Sequence, residues 1–396
     1  MNIEIKVPVL AKEVAIVKQA NYYILHQPTY NHRVKVSNEM HALLCEIDGI
    51  KSISEVIGEY GRKHKIVLSA QEADTILYGQ LGKYGIVESN DITVQESDKP
   101  DYLKLSFILV ASKVVSVIAS YLSFLFSKQF LFFGSALSCI VFNWVLNFNR
   151  ILQTPIDTFF LSYFILFLAS AALHELGHAA ATHFFGAKQG GIGIGFYLLF
   201  PVCFVDVTDI WSLKPKQRII VNLAGIYFEY LFCASLTVAG VLFQNNTLIT
   251  TSAILPVKTL INLLPFIRTD GYWVLSDMLD APNFQQHADK NVKSFLKGLI
   301  KGEEFLCTKQ NVLLLIYGIA SNLFLVFFLF IMWRDIKFIA LSPYHLFVDC
   351  RELISGHKSF MLNDFLRYIA PLLLYCTVIH YFKKKIHMVW KRFWPC

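Results

Sequence analysis

The chain reads as a mainly α, polytopic helical membrane protein, with about six transmembrane helices and a small α+β domain at its N-terminus. Three observations predict this class. Of 396 residues, 55% are hydrophobic and 34 are Phe, with a mean hydropathy of +0.48, which is too apolar for an ordinary soluble globule. Beyond residue 102 the apolar residues gather into runs of about twenty, long enough as helices to cross the roughly 30 Å of a bilayer core. Residues 1–101 instead carry short apolar patterns between polar breaks, with 11 Lys/Arg against 14 Asp/Glu. The net charge of +7 therefore comes from the membrane part, as basic cytosolic loops would supply it, and not from a nucleic-acid surface.

The N-terminal domain occupies residues 1–90. Tyr22-Tyr23-Ile24-Leu25 and His32-Arg33-Val34-Lys35-Val36 alternate as strands and are joined through Pro28 and Asn31, which predicts a hairpin. Three helices follow. Ser37 or Asn38 caps the first, which carries Met40, Leu43, Leu44 and Ile47 and stops at Asp48-Gly49. Ser52 with Glu55, and Ser69 with Glu72, are capping boxes that open the second and third. Ile53, Val56 and Ile57, then Ala73, Ile76, Leu77, Leu81 and Tyr84, keep helical spacing, so each helix has one face to bury.

A polar linker, 91–101, leads to the membrane domain, 102–396. Candidate spans are 105–126, 129–149, 157–185, 219–243, 249–280, 311–333 and 364–382. The first is the least apolar, with Ser106, Ser112, Lys113, Ser116, Ser120 and Ser123, and is expected to lie along the interface. Basic clusters at Lys214, Lys216 and Arg218, at Lys290, Lys293, Lys297 and Lys301, and at Lys383–Lys385 with Lys391 and Arg392 orient the rest with these loops in the cytosol. No signal peptide opens the chain, so the N-terminal domain and the C-terminus are both expected on the cytosolic side of a bacterial cell membrane. Trp390, Phe393 and Trp394 read as an interfacial anchor. Eight single cysteines with no C-x-x-C pair read as buried small apolar residues.

The most informative stretch is Leu173-His174-Glu175-Leu176-Gly177-His178-Ala179, inside an apolar run that begins near Phe159. Four residues apart on a helix, His174 and His178 present two imidazoles to one metal ion with Glu175 beside them, the H-E-x-x-H arrangement of zinc proteases. Two neutral imidazoles suit Zn²⁺, and an open position would hold a water that the metal acidifies and Glu175 deprotonates. Two imidazoles and a carboxylate are costly in lipid unless bound or paired, so a functional role is the default reading.

The third ligand must come from elsewhere. His183 stands one position short of a metzincin pattern, whose Gly and His positions hold Ala181 and Phe184. Glu229, the one intramembrane Glu after the H-E-x-x-H motif, would be a gluzincin-like choice, but Asp270 is the better candidate. It follows Pro265, which breaks a helix, and precedes Gly271, which permits close backbone approach, so irregular backbone would line a polar cavity.

With these residues the chain resembles the site-2 protease family of intramembrane zinc metallopeptidases, in which an H-E-x-x-H helix is paired with a later N-x-x-P-x-x-x-x-D-G segment. Here that segment is Asn262-Leu263-Leu264-Pro265-Phe266-Ile267-Arg268-Thr269-Asp270-Gly271, and the resemblance covers about 157–280. It implies His174, His178 and Asp270 as zinc ligands, Glu175 as general base and acid, and Asn262 as a polar contact to the substrate or its oxyanion. The Gly190–Gly195 segment, alternating small and apolar, would be a re-entrant strand that receives an unwound substrate. Phe266-Ile267-Arg268 departs from the family's loop, which usually carries a second Pro.

The N-terminal order of hairpin and helices, with Asp48-Gly49, similarly resembles the winged-helix-like precursor-peptide recognition domain typified by the pyrroloquinoline quinone biosynthesis D protein. In that family a strand edge captures a leader peptide. Together the two resemblances imply a zinc endopeptidase that matures a precursor peptide of a modified peptide, bacteriocin or signal peptide. Regulated intramembrane proteolysis of a membrane-anchored regulator, and a non-catalytic peptide export or immunity protein, are the alternatives. Of the other polar residues, Glu229 is expected to pair with Lys258, and Asp206 and Asp209 to fold their loop. His287, His345, His357, His380 and His387 are expected in loops or at span ends.

Overall fold

In the computed structural model of the chain the described residues are 5–88 (apart from 20, 21 and 31), 93–94, 103–146, 156–197, 200–279, 281, 284–301, 308–356 (apart from 335), 368 and 371–372. They divide into two units, Met1–Tyr102 with Trp211–Lys214, and Leu103–Ile210 with Pro215–Cys396.

In the first unit the expected hairpin is β2 (Tyr23–Gln27) and β3 (His32–Val36), antiparallel from Tyr23↔Val36 to Gln27↔His32. A further strand, β1 (Ala15–Lys18), adds to β2 and makes the order β1-β2-β3. Three helices follow, α1 (Asn38–Cys45), α2 (Ile53–His64) and α3 (Ala70–Asp74). Ser37 caps α1 by accepting the Met40 N–H, and both expected capping boxes are formed. α3 continues through a π-helical turn, Thr75–Leu81, that the spacing of apolar residues did not announce. Leu25 and Val36 from the sheet meet Leu43, Leu44, Val56, Tyr60, Leu77 and Leu81 from the helices in one core.

The helix-stopping Asp48-Gly49 pair works through two contacts. Gly49 takes a left-handed φ of +78°, which a Cβ would strain, and the Asp48 carboxylate accepts the N–H groups of Ile50 and Lys51, each at 2.9 Å. These backbone donors hold the Asp48 carboxyl down to about 2. A depressed carboxyl stabilises the fold fully above its unfolded value of about 3.9 and loses that contribution as pH falls through the folded value. Hydrogen-exchange protection at Ile50 and Lys51 is thus expected to drop between about pH 4 and pH 2, and Asp48→Asn to remove this step.

The second unit opens with β4 (Leu103–Val110), followed by α4 (Ser112–Leu122) and a 3₁₀ turn to Phe126. The stretch 105–126, expected as one interfacial helix, is thus a strand and a short helix. The reason is long-range pairing: β4 lies antiparallel on β5 (Ile192–Tyr197), which pairs in turn with β6 (Phe200–Val205), giving the order β4-β5-β6. Between them run α5 (Lys128–Leu146) and α6 (Ile156–Phe184), and α7 (Pro215–Leu242) follows the sheet.

Among the described residues three helices are long and apolar enough to cross a membrane: Lys128–Val145, Ser162–Phe184 and Pro215–Leu242. They point to membrane association. On α5, Phe132, Phe133 and Ile140 are exposed, a surface suited to lipid rather than to water.

The span expected at 249–280 is broken into α8 (Asn246–Ile254), α9 (Pro256–Asn262) and α10 (Asp270–Met278). Pro256 starts α9 and Pro265 lies in the non-helical stretch before α10, as a residue lacking an N–H dictates. The last elements are α11 (Phe284–Lys301), α12 (Lys309–Arg334) and α13 (Ile336–Ile354). The basic run 290–301 and His287 are therefore helical rather than loop, and His345 lies inside α13. Within α12, Asn311–Phe327 is apolar. The span expected at 364–382, apart from residues 368, 371 and 372, lies outside the described residues, as do His357, His380, His387 and the C-terminal basic and aromatic cluster. Contrary to expectation, Cys45 and Cys139 are exposed, whereas Cys233 is buried.

Candidate metal centre

The site starts from α6, whose register sets His174 and His178 on one face, one turn apart. Their Nε2 atoms lie 3.0 Å from each other. Asp270, the first residue of α10, brings Oδ2 to 3.0 Å from His174 Nε2 and Oδ1 to 3.5 Å from His178 Nε2. These three side chains, distant in sequence, form one group whose ligand atoms all lie within 4.8 Å of one another.

Hydrogen positions follow from the outer partners. His178 Nδ1 lies 2.7 Å from the Val221 carbonyl oxygen, which can only accept, so a neutral His178 carries its proton on Nδ1 and leaves Nε2 bare. His174 Nδ1 faces a carboxylate oxygen of Glu229 at 3.5 Å, which favours the same tautomer. Two bare imidazole nitrogens and a carboxylate then converge with no donor among them. Asp270 Oδ2 is buried without a hydrogen-bond donor. Such a set of acceptors is unfavourable until a cation joins it, and two imidazoles with one carboxylate suit Zn²⁺ with an open fourth position.

Packing of α7 against α6 sets this geometry. Arg218, Val221, Asn222 and Gly225 follow one another at helical spacing and so share one face of α7. A Cβ on Gly225 would stand 2.5 Å from His178 Nε2 and 2.6 Å from His174 Nε2, so only glycine leaves room for both rings. Gly177, between the histidines, lets α7 approach in the same way: a Cβ there would lie 2.5 Å from the Ala224 carbonyl oxygen. Val221 supplies the acceptor for His178. Arg218 Nε donates to Asp277 Oδ1 at 2.7 Å and Asn222 Nδ2 to Asp277 Oδ2 at 2.8 Å, which ties α10 to α7.

Arg218 is therefore not part of a solvated basic loop, as its neighbours Lys214 and Lys216 had led us to expect, but a buried partner at 2% exposure. Asp277 lies two turns beyond Asp270 on the same short helix. Asp277→Ala is expected to destabilise the protein by about 3–5 kcal/mol, because it breaks a buried charge pair on one side only. Thermal unfolding in detergent measures this.

The stretch 263–269 before Asp270 is irregular, and its backbone is satisfied by side chains from other elements and by its own Thr269. Tyr317 and Ser321 on α12 donate to the Pro265 and Phe266 carbonyls at 2.7 and 3.2 Å. The Arg268 N–H donates to the Tyr197 hydroxyl at 2.8 Å, and Thr269 Oγ1 to the Leu264 carbonyl at 3.0 Å. Such partners are what non-helical backbone needs wherever water is excluded. Gly271 is required because a Cβ would collide with the Leu263 carbonyl.

Glu175 is buried at 9% exposure beside the histidines, with the Val205 backbone N–H of β6 facing its carboxylate. It stands outside the three-residue group. Asn262, the last residue of α9, is half-buried, with no hydrogen bond to its side chain among the described residues. Asp206 and Asp209 fold their loop, accepting from Thr208 and from the Lys188 N–H. Glu229 and Lys258 form the expected ion pair. Gly190–Gly195 does supply a strand, but β5 is the middle of its sheet, so both of its edges are already paired. An incoming strand would need β4 or β6 instead.

Sequence reasoning missed Arg218, Asn222, Gly225 and Asp277. The signal was present in α7, where a glycine and two polar residues recur at intervals of three and four within an apolar helix.

Over 215 residues, 52% of this chain and 84% of the other, the sequence is 26% identical to "Putative peptide zinc metalloprotease protein YydH" of Bacillus subtilis (strain 168). This similarity supports a zinc metalloprotease family, and zinc as the metal. No family model matches the chain, and no solved structure matches it.

Proposed function

We propose that the chain is a membrane-embedded zinc endopeptidase of the site-2 protease type, which cleaves a precursor peptide selected by its N-terminal domain. One observation carries this reading: His174, His178 and Asp270 converge as three acceptors with no donor, and a buried Glu175 stands beside them.

Bound there, Zn²⁺ would supply a Lewis acid that acidifies a water and polarises the scissile carbonyl. The chain's own groups do the rest. Glu175 takes the proton from the attacking water and delivers it to the leaving amine nitrogen. Asn262, whose side-chain amide has no hydrogen bond among the described residues, would bind the substrate carbonyl.

A helical substrate hides its amides in its own hydrogen bonds and must be unwound before cleavage. The edge of the β4-β5-β6 sheet nearest Glu175 is β6, because Val205 belongs to it. A substrate that adds as a strand to β6 would present an extended peptide bond to Glu175. The first unit, whose three-stranded sheet has β1 and β3 as its edges, would hold the leader in the same way. The protein would cross the cell membrane several times with both ends in the cytosol.

The test is cleavage of a precursor peptide encoded beside the gene, by purified full-length protein in lipid vesicles. Zinc chelation is expected to stop cleavage and added zinc to restore it. Unchanged activity in zinc-free protein would overturn the proposal. A leader-less peptide cut as fast as the full precursor would remove the recognition role.

A further inference from the structure

Glu229 has a carboxylate at 2% exposure in the middle of an apolar helix. Such a group needs a reason to be there, and its ion pair with Lys258 is only part of its surroundings. Thr259 Oγ1 donates to Glu229 Oε2 at 2.8 Å, and Ser170 Oγ donates to Oε1 at 3.4 Å. Lys258 Nζ also donates to Ser170 Oγ at 3.3 Å and lies 5.1 Å from the centre of the Phe167 ring. Side chains from two other segments, α6 and α9, thus hold this one carboxylate of α7 in place. What it faces is His174 Nδ1, at 3.5 Å from Oε2, on the side of the ring away from Asp270. Among the described residues Nδ1 has no hydrogen-bond partner, so this carboxylate is the group it faces.

We infer that Glu229 is a positioning residue for the metal centre: it holds His174 in the Nδ1–H tautomer and at the ring angle that aims Nε2 at the cation. A carboxylate behind a metal-binding imidazole fixes the tautomer and raises the basicity of the ligating nitrogen. The two histidines are served differently. His178 is oriented by a neutral acceptor, the Val221 carbonyl, and His174 by a charged one, so His174 is the stronger donor of the pair. Lys258, Thr259 and Ser170 act through Glu229 by fixing its rotamer. Because α9 also ends at Asn262, the same contacts tie the metal centre to the segment that the proposed function gives to substrate binding.

This inference rests on the proposed metal site, and its test separates the two. Zinc affinity is measured by chelator competition on full-length wild-type, Glu229→Gln and Glu229→Gln/Lys258→Met proteins, and the visible spectrum is recorded with Co²⁺ in place of zinc. Both variants are expected to bind zinc about 10–100-fold more weakly than wild type and to shift the Co²⁺ bands, as loss of an outer carboxylate does. The double variant removes both charges together, so it leaves no unpaired buried lysine and separates positioning from folding. Zinc affinity and Co²⁺ bands equal to wild type in the double variant would overturn the inference, leaving Glu229 as no more than a partner for Lys258. Failure of wild type to bind zinc would instead overturn the proposed function.

Discussion

Glu175→Gln is expected to retain one zinc per chain and to lose cleavage by about 10²–10⁴-fold, the range that a positioned general base contributes. The substitution keeps the volume of the side chain and an acceptor oxygen facing the Val205 N–H, so the fold and the ligand group are undisturbed. What it removes is the ability to take a proton. Because Glu175 stands outside the His174, His178 and Asp270 group, zinc content and activity should separate cleanly. A Gln variant that still cleaves at the wild-type rate would require another base, and a variant that loses zinc would make Glu175 a ligand.

Asp270→Ala is expected to give the opposite signature, with zinc and activity lost together. Its carboxylate bridges both imidazoles, at 3.0 and 3.5 Å, and without it two bare nitrogens are left facing each other. Loss of a direct ligand should exceed the about 10–100-fold that loss of an outer partner costs. Equilibrium dialysis with zinc measures it. The fold should survive, because α10 is held to α7 through Asp277, Arg218 and Asn222 and not through Asp270.

Much of this centre was legible because its code is local. His174 and His178 are one helical turn apart in any helix, and the Pro265-to-Gly271 stretch announces broken backbone wherever it falls. The capping boxes at Ser52 and Ser69 were legible for the same reason, since each is closed within four residues. What escaped depends on distant partners. The end of β4, residues 105–110, was read as part of an interfacial helix because so short a stretch has no secondary structure of its own until β5 pairs with it. Gly225 looked like any glycine in a membrane helix, and only the nearness of two imidazoles shows why no side chain fits. Arg218 sat beside two lysines and was counted with them, although it is buried against a carboxylate 59 residues away. The run 249–280 had the length of one span, but Pro256 and Pro265 divide it, and the division is what carries Asp270 to the histidines.

The most direct measurement is X-ray absorption of zinc in the purified full-length protein. One zinc per chain is expected, with two imidazole nitrogens and carboxylate or water oxygens at about 2.0–2.2 Å, and with the spectrum altered by His174→Ala. Sulfur scattering at about 2.3 Å, or zinc that is unaffected by that substitution, would contradict the account.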